Sequence, residues 1–267
     1  MQYRLTPGQL DRYFARIGFD APPRADLATL RAVHRAHAYA FTWENLDAFM
    51  GWSSSVDPAA AFDKMVEGRR GGWCYEMNGL LGAALAGIGF SVTRLCGGVR
   101  RDELGERAVG NHLTLRIDLD RPYLADTGLG DAQLEPIALA VGAYEQDGLR
   151  FAIEPADGEW LRFRNHPAGG APTFDFRAGY SDETALADRQ AWLLTDPNSP
   201  FANMLILQRH FPGRIEALRN TTRLTLNGGG LVEMPIENAE DFAALLTDVF
   251  QVRVADAGAV WAKAAKQ

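Results

Sequence analysis

The stretch Arg70-Gly71-Gly72-Trp73-Cys74-Tyr75-Glu76-Met77-Asn78 sets a cysteine just after a glycine pair and just before an apolar run. Adjacent glycines permit backbone angles and close approaches that a side chain forbids. From Tyr75 to Ile88 the residues are mostly apolar, and the run stops at Gly89, which predicts a helix closed by glycine. A cysteine in the first turn of such a helix meets the positive end of the dipole and unpaired N–H groups, and both favour thiolate over thiol. Arg69 and Arg70 push the same way. The opposing reading is a small buried hydrophobe, a common role for free cysteine.

Downstream residues supply partners for a nucleophile. In Asn111-His112-Leu113-Thr114-Leu115-Arg116-Ile117-Asp118 polar and apolar residues alternate. As a strand, this puts His112, Thr114 and Arg116 on one face and Leu113, Leu115 and Ile117 on the other, so the histidine is expected to face away from the apolar side. Arg121-Pro122-Tyr123-Leu124-Ala125-Asp126-Thr127-Gly128-Leu129-Gly130 reads as a second short strand that delivers an aspartate to a glycine turn. As hairpin neighbours, the two strands bring Asp126 beside the His112 ring. Cysteine, histidine and aspartate then follow the nucleophile, base and orienter logic of acyl transfer. Singly, a strand histidine and an Asp before Gly are ordinary features, the latter being common turn chemistry.

Together these segments resemble the arylamine N-acetyltransferase family. The family pattern is Arg-Gly-Gly-X-Cys-X-Glu-X-Asn, then a strand histidine, then an aspartate with a short glycine-rich turn, and here it reads RGGWCYEMN, NHLTLRI and YLADTGLG. Phe41-Thr42-Trp43-Glu44-Asn45-Leu46-Asp47 is similar to the family's Pro-Phe-Glu-Asn-Leu segment, and Asn198-Ser199-Pro200-Phe201 to its Ser-Pro-Phe element. The resemblance covers nearly the whole chain, in order. It implies a catalytic triad of Cys74, His112 and Asp126 and acetyl-coenzyme A as acyl donor. It also implies transfer through a cysteine thioester to an arylamine, a hydrazine or an N-hydroxyarylamine. The chain departs from the pattern at Trp43, usually Phe, at Met77, often Gln, and at Thr127 and Leu129, usually Val or Ala and Phe. The last two fall next to the site and bear on donor and acceptor preference. Tyr75, Thr127, Gly128, Leu129 and Phe201 are the candidate substrate-binding residues.

Composition agrees with an enzyme of this kind. The chain has 267 residues, 47% hydrophobic and 23% charged, ordinary values for a globular protein large enough for one large domain or two to three small ones. A formal net charge of −7 leaves no basic face for a long nucleic-acid site. Coenzyme A needs only a local positive pocket. Two cysteines, Cys74 and Cys96, make no disulfide framework, and a cytoplasmic, reduced setting is the simplest inference. The N-terminal segment carries charges every few residues and no signal-like apolar core, and no apolar run reaches the ~20 residues that span a bilayer. His34 and His37 stand three apart on a predicted helix but lack a third ligand at matching spacing, so no metal is expected. They read as partly buried or surface residues, His166 as a turn residue and His210 as one near a helix end.

The chain changes character twice. Thr6 before Pro7, Asp26 and Asp57 before Pro58 read as helix starts, and helical spacing holds through Gly89. From Ser91 to about Tyr180, short alternating runs separated by turns predict antiparallel sheet. Beyond Pro200 the pattern is mixed, with a short helix expected over Phe201–Phe211, three strands, and a helix from Asn238 to Phe250. The expected fold is therefore α+β: an N-terminal helical bundle over 1–89 with Cys74, a central antiparallel β-barrel domain over 90–195 with His112 and Asp126, and a C-terminal α/β lid over 196–267. A buried ion pair between Glu44 and Arg70 is a candidate for holding the cysteine loop. Three other readings stand beside acetyl transfer. A cysteine protease or amidase uses the same triad, but Glu76 and Asn78 after the cysteine argue against it; an amide-closing acyltransferase keeps the triad and changes the acceptor pocket; a binding module leaves Cys74 buried and inert.

Overall fold

The computed structural model describes residues 3–267. The predicted helix starts form for the expected local reasons. Thr6 caps Pro7–Ile17 by accepting from the Gln9 N–H, and Asp26 caps Leu27–Ala40 by accepting from the Thr29 N–H at 2.8 Å. Asp57 caps Pro58–Phe62, after which the chain widens into a π-type turn over Asp63–Glu67 instead of running on as regular helix. The helix Cys74–Ile88 is central: Cys74 through Ala86 are all buried, so it is apolar on nearly every side.

Strand β1 (Trp43–Glu44) precedes that helix. After it come β2 (Ser91–Val99), β3 (His112–Asp118), β4 (Pro122–Ala125), β5 (Ile137–Ala138), β6 (Gly142–Gln146), β7 (Leu149–Pro155), β8 (Leu161–Arg164) and β9 (Thr173–Phe176). They form one antiparallel sheet in the order β5-β4-β3-β2-β9-β8-β7-β6. Its two edges are stitched by side chains. Tyr144 on β6 donates its hydroxyl to the Ala138 carbonyl at 2.8 Å, and the Gln146 amide oxygen accepts the Leu134 and Glu135 N–H groups at 2.8 and 2.9 Å. The sheet is thereby a nearly closed barrel around Leu95, Leu124, Phe151, Phe163 and Phe174. His112 lies on the opposite face of β3 from Leu113, Leu115 and Ile117, as expected, with its ring against Phe174, but that face is no less enclosed. Both faces of β3 are covered, one by the cysteine helix and one by the barrel interior, and His112 and Thr114 are as buried as Leu113 and Leu115.

The C-terminal strands β10 (Ile206–Phe211), β11 (Arg214–Arg219), β12 (Thr222–Asn227) and β13 (Gly230–Pro235) form a meander, with β1 on its edge beside β10. The helix expected over Phe201–Phe211 is only Pro200–Asn203; the rest is β10. Asn45 forces the change: its amide N–H groups take the Phe201 and Met204 carbonyls, and its oxygen accepts the Ile206 N–H at 2.8 Å, after which β1 and β11 pair with the chain on both sides. His210 thus sits buried on a strand, not near a helix end. His34 and His37 are wholly buried as well. The helix Glu183–Thr195, capped by Asp182, has buried residues at Leu186, Gln190 and Leu193 and no strong apolar stripe that would announce it in the sequence. The Asn238 helix is Ala239–Ala244, continued by a wide turn over Leu245–Val249. Among the described residues no helix is long and apolar enough to cross a membrane, and no group of three or more His, Cys, Asp or Glu is placed to hold a metal ion.

Candidate active site

The cysteine loop is held against β1. The Gly72 N–H donates to the Thr42 carbonyl at 3.2 Å, and the Glu44 N–H donates back to the Gly72 carbonyl at 3.1 Å. A Cβ at Gly71 would lie 2.1 Å from the Thr42 oxygen, so the approach requires glycine. The expected Glu44–Arg70 pair is present at 2.8 Å and belongs to a larger buried network. Arg70 also binds Asp47 at 2.9 Å, and Lys64 binds Asp47 at 2.7 Å and Glu76 at 2.8 Å. Burial raises the Glu76 carboxyl above its ordinary range against the pull of Lys64. Glu76 and Glu44 also accept the Trp73 and Leu46 N–H groups, at 3.3 and 2.8 Å, so the network ties β1 to the start of the cysteine helix.

Two cations balance three carboxylates here, and removing one strands buried charge. Arg70→Met is expected to cost about 3–5 kcal/mol. Urea denaturation reads the loss; a change below about 1 kcal/mol would show the network to be no more cohesive than a surface pair.

His112 opens β3, and Asp126 immediately follows β4, its antiparallel neighbour. The His112 Nε2 lies 2.7 Å from Asp126 Oδ2, and both residues are buried. The other carboxylate oxygen, Oδ1, accepts from the Asn78 amide at 2.9 Å and from the Gly128 N–H at 2.7 Å. Asn78 further donates to the Leu113 carbonyl at 2.6 Å and accepts from the Thr127 N–H at 2.9 Å, which locks the turn to the cysteine helix. Behind Asp126, its own N–H donates to His34 Nε2 at 3.1 Å while His34 Nδ1 reaches the Leu134 carbonyl at 2.9 Å. That pair of bonds places the His34 proton on Nδ1. Burial lowers His34 to about 4, so it stays neutral.

Electrostatics separates the two members of the pair. Burial works against a protonated His112 ring, but the Asp126 charge and hydrogen bond, with a further hydrogen bond to Cys74, outweigh it and raise the ring to about 10. Asp126, for all the cost of its burial, is held below the ordinary carboxylate range by His112 and Asn78. The Cys74 sulfur lies 3.8 Å from the Asn111 carbonyl, and Cys74 is 5% exposed. The second cysteine, Cys96, is also free, with its thiol pushed up to about 12 by burial.

A family model described as N-acetyltransferase matches residues 26–259. The pineal gland isozyme of arylamine N-acetyltransferase from Gallus gallus is 39% identical over 271 residues, covering 91% of this chain and 93% of that protein. The chain belongs to the arylamine N-acetyltransferase family. The Mycolicibacterium smegmatis arylamine N-acetyltransferase is 41% identical over 144 residues, so the match spans about half of each protein, 51% and 52%. Among solved structures, the arylamine N-acetyltransferase of Mycobacterium marinum in complex with coenzyme A superposes with a TM-score of 0.88 at 27% identity, covering 96% of this chain and 98% of that one.

Within this arylamine N-acetyltransferase family member, the residues expected at the site fall into distinct places. Thr127 is buried, with N–H and hydroxyl both on the Asn78 oxygen. Gly128 lies against the cysteine: a Cβ there would sit 2.9 Å from the Cys74 Cβ and 2.6 Å from the Asn78 amide nitrogen. Leu129 packs into the barrel core. Tyr75 is fully buried with its hydroxyl on the Gly110 carbonyl at 2.6 Å. Phe201 is half-buried, its ring 5.8 Å from Trp43 and 5.7 Å from Trp73. Asn78 and His34 both support Asp126, a role that no motif assigns to either. Asn78 stood in the quoted motif, four residues and so one helical turn after Cys74, and that spacing was its signal. His34 reaches Asp126 from 92 residues away and left no local trace.

Proposed function

We propose that the protein transfers acetyl from acetyl-coenzyme A, through a thioester on Cys74, to the nitrogen of an arylamine or hydrazine, or to the oxygen of an N-hydroxyarylamine. The observation that carries the reading is the His112 ring, bound on Nε2 to buried Asp126 and raised to about 10, with Cys74 at the helix start beside it. A ring that keeps its proton at neutral pH pairs as imidazolium with a thiolate. The thiolate attacks the acetyl carbonyl carbon. The developing oxyanion takes the Cys74 backbone N–H, which in the first helical turn has no intrahelical acceptor. The bond from the acetyl carbon to the coenzyme A sulfur breaks, and His112 gives its proton to that leaving sulfur. A neutral amine then attacks the acetyl-cysteine, His112 takes the amine proton, and Cys74 departs as thiolate.

Near-complete burial of Cys74 beside the Gly128 turn supports transfer over hydrolysis, because water at the thioester competes with the amine. The coenzyme A complex of the M. marinum relative supports the same donor. Coenzyme A release is the test, measured with an aminophenol, a hydrazide, a simple alkylamine and a short peptide. The aminophenol and hydrazide are expected well ahead, since an alkylamine is mostly ammonium at neutral pH and its burial is costly. Thioester consumption indifferent to amine, or cleavage of the peptide, would favour a hydrolase instead.

A further inference from the structure

A cavity of about 260 Å³ opens between three segments that are distant in the chain, and the charged part of its wall is arginine alone. Arg16 comes from the end of the helix Pro7–Ile17, Arg69 from just ahead of the cysteine loop, and Arg253 from the stretch after the wide turn Leu245–Val249. Thr247, Gln251 and Val252 complete the lining. Among the described residues none of the three arginines forms an ion pair, although the chain has 34 acidic residues to its 27 lysines and arginines.

Part of this unpaired charge is held in place. Arg16 lies over the Phe41 ring at 4.7 Å and donates from Nη1 to the Ala40 carbonyl at 3.2 Å, while its Nε–H is buried with no acceptor. Burial and the Arg69 charge both lower Arg16, and no carboxylate counters them. Beside them, buried Arg209 is lowered to about 10 by burial and by Arg16. Arg209 donates to the Gln251 amide oxygen at 3.0 Å, so the Gln251 side chain has chiefly its N–H donors left to offer. Like charges gathered in partial burial repel one another, and an anion placed among them offsets both the repulsion and the lost hydration. Guanidinium groups carry their donors in a planar fork that matches phosphate oxygens.

We infer that this cavity is a binding site for a compact phosphate-bearing anion of the diphosphate class, separate from the site at Cys74. Its volume falls below the ~300–1,000 Å³ of pockets for drug-sized ligands, which selects a small anion. None of its lining residues hydrogen-bonds to Cys74, His112 or Asp126. Arg69 makes the link to the rest of the fold: its chain neighbour Arg70 binds Glu44 and Asp47, so a bound anion ties the first helix and the C-terminal segment to the network that holds the cysteine loop. The inference stands whether or not acetyl transfer is the reaction.

The experiment titrates the whole protein with inorganic pyrophosphate at constant ionic strength, by isothermal titration calorimetry. One site per chain is expected. Arg69→Asn and Arg253→Gln should each raise Kd about tenfold to a hundredfold, the scale on which charge-assisted hydrogen bonds act. Arg69 has a left-handed backbone at φ 51°, which asparagine tolerates. Both side chains are exposed and lack an ion-pair partner, so without ligand the variants should melt no lower than the wild type. Pyrophosphate at about 100 times its Kd should raise the wild-type Tm by roughly 5–10 °C. The isotherm should persist with coenzyme A at saturation; its disappearance would assign the arginines to the acyl donor and overturn a separate site. No binding at millimolar pyrophosphate, or unchanged affinity in both variants, would overturn the inference as well, and so would a lower melt of either variant without ligand, since that arginine would then serve the fold.

Discussion

Cys74→Ser is expected to lower turnover on the order of 10⁴-fold or more, the scale on which removal of a nucleophile acts in triads of this logic. Sulfur and oxygen occupy the same place, but a serine hydroxyl is essentially un-ionised at neutral pH and cannot form the resting pair with His112. The fold should survive, because one buried atom changes and the helix start keeps its Glu76 and Gly72 contacts. Coenzyme A release with an aminophenol, next to a thermal melt, separates the two effects. A folded serine variant with a tenth of the wild-type rate would mean that acetyl passes directly from donor to acceptor. Cys96 offers no substitute, since burial holds its thiol in the neutral form.

Asp126→Asn should lose roughly 10⁴-fold in turnover while staying folded, by analogy with the loss of the aspartate's charge in a serine triad. Asparagine still reaches the His112 ring but supplies no charge, so burial then dominates and lowers the ring. The resting imidazolium disappears, and alkylation of Cys74 by iodoacetamide at pH 7 should slow with it. Stability carries the same signature. His112 is raised from 6.5 to about 10, so its pairing stabilises the native state fully below pH 6.5 and is lost as pH rises through about 10. Asp126 is lowered from 3.8, so its contribution holds above 3.8 and is lost on further acidification. The stability gap between wild type and Asp126→Asn should therefore narrow between pH 7 and 10. Wild-type alkylation and turnover in the variant would point to a different carboxylate as the partner of His112.

The legible parts of this sequence were those fixed by neighbours in the chain. Thr6, Asp26 and Asp57 announce their helices because a cap is a bond across two or three residues. The hairpin of β3 and β4 follows from two alternating runs joined by a short turn, and the close approach of His112 and Asp126 comes with it. Position 204 onward misread as helix because Met, Leu, Ile and Leu suit either structure; pairing with β1 and β11, and the three bonds of Asn45, decide for strand. The burial of His112 escaped for a related reason. Alternation tells which residues share a face, but closure of the sheet around the face that carries His112, whose ring meets Phe174, is a tertiary fact.

The site divides in the same way. Cys74 and Gly128 carry local marks, a helix start and a turn that has room only for glycine. Glu44 and Arg70 suggested an ion pair from their place in two motifs, yet Lys64, which completes the network with Asp47 and Glu76, lies on a stretch whose wide turn no periodicity announces. His34 looked like half of a weak metal motif and is instead a neutral ring that orients the backbone of Asp126.

The measurement that bears most directly on this account is the intact mass of the wild-type protein after incubation with acetyl-coenzyme A in the absence of any amine, followed by peptide mapping. The account predicts one acetyl group per chain, on Cys74, that disappears when an arylamine is added. An unmodified protein after the donor has been consumed, or an acetyl group on Cys96, would contradict it.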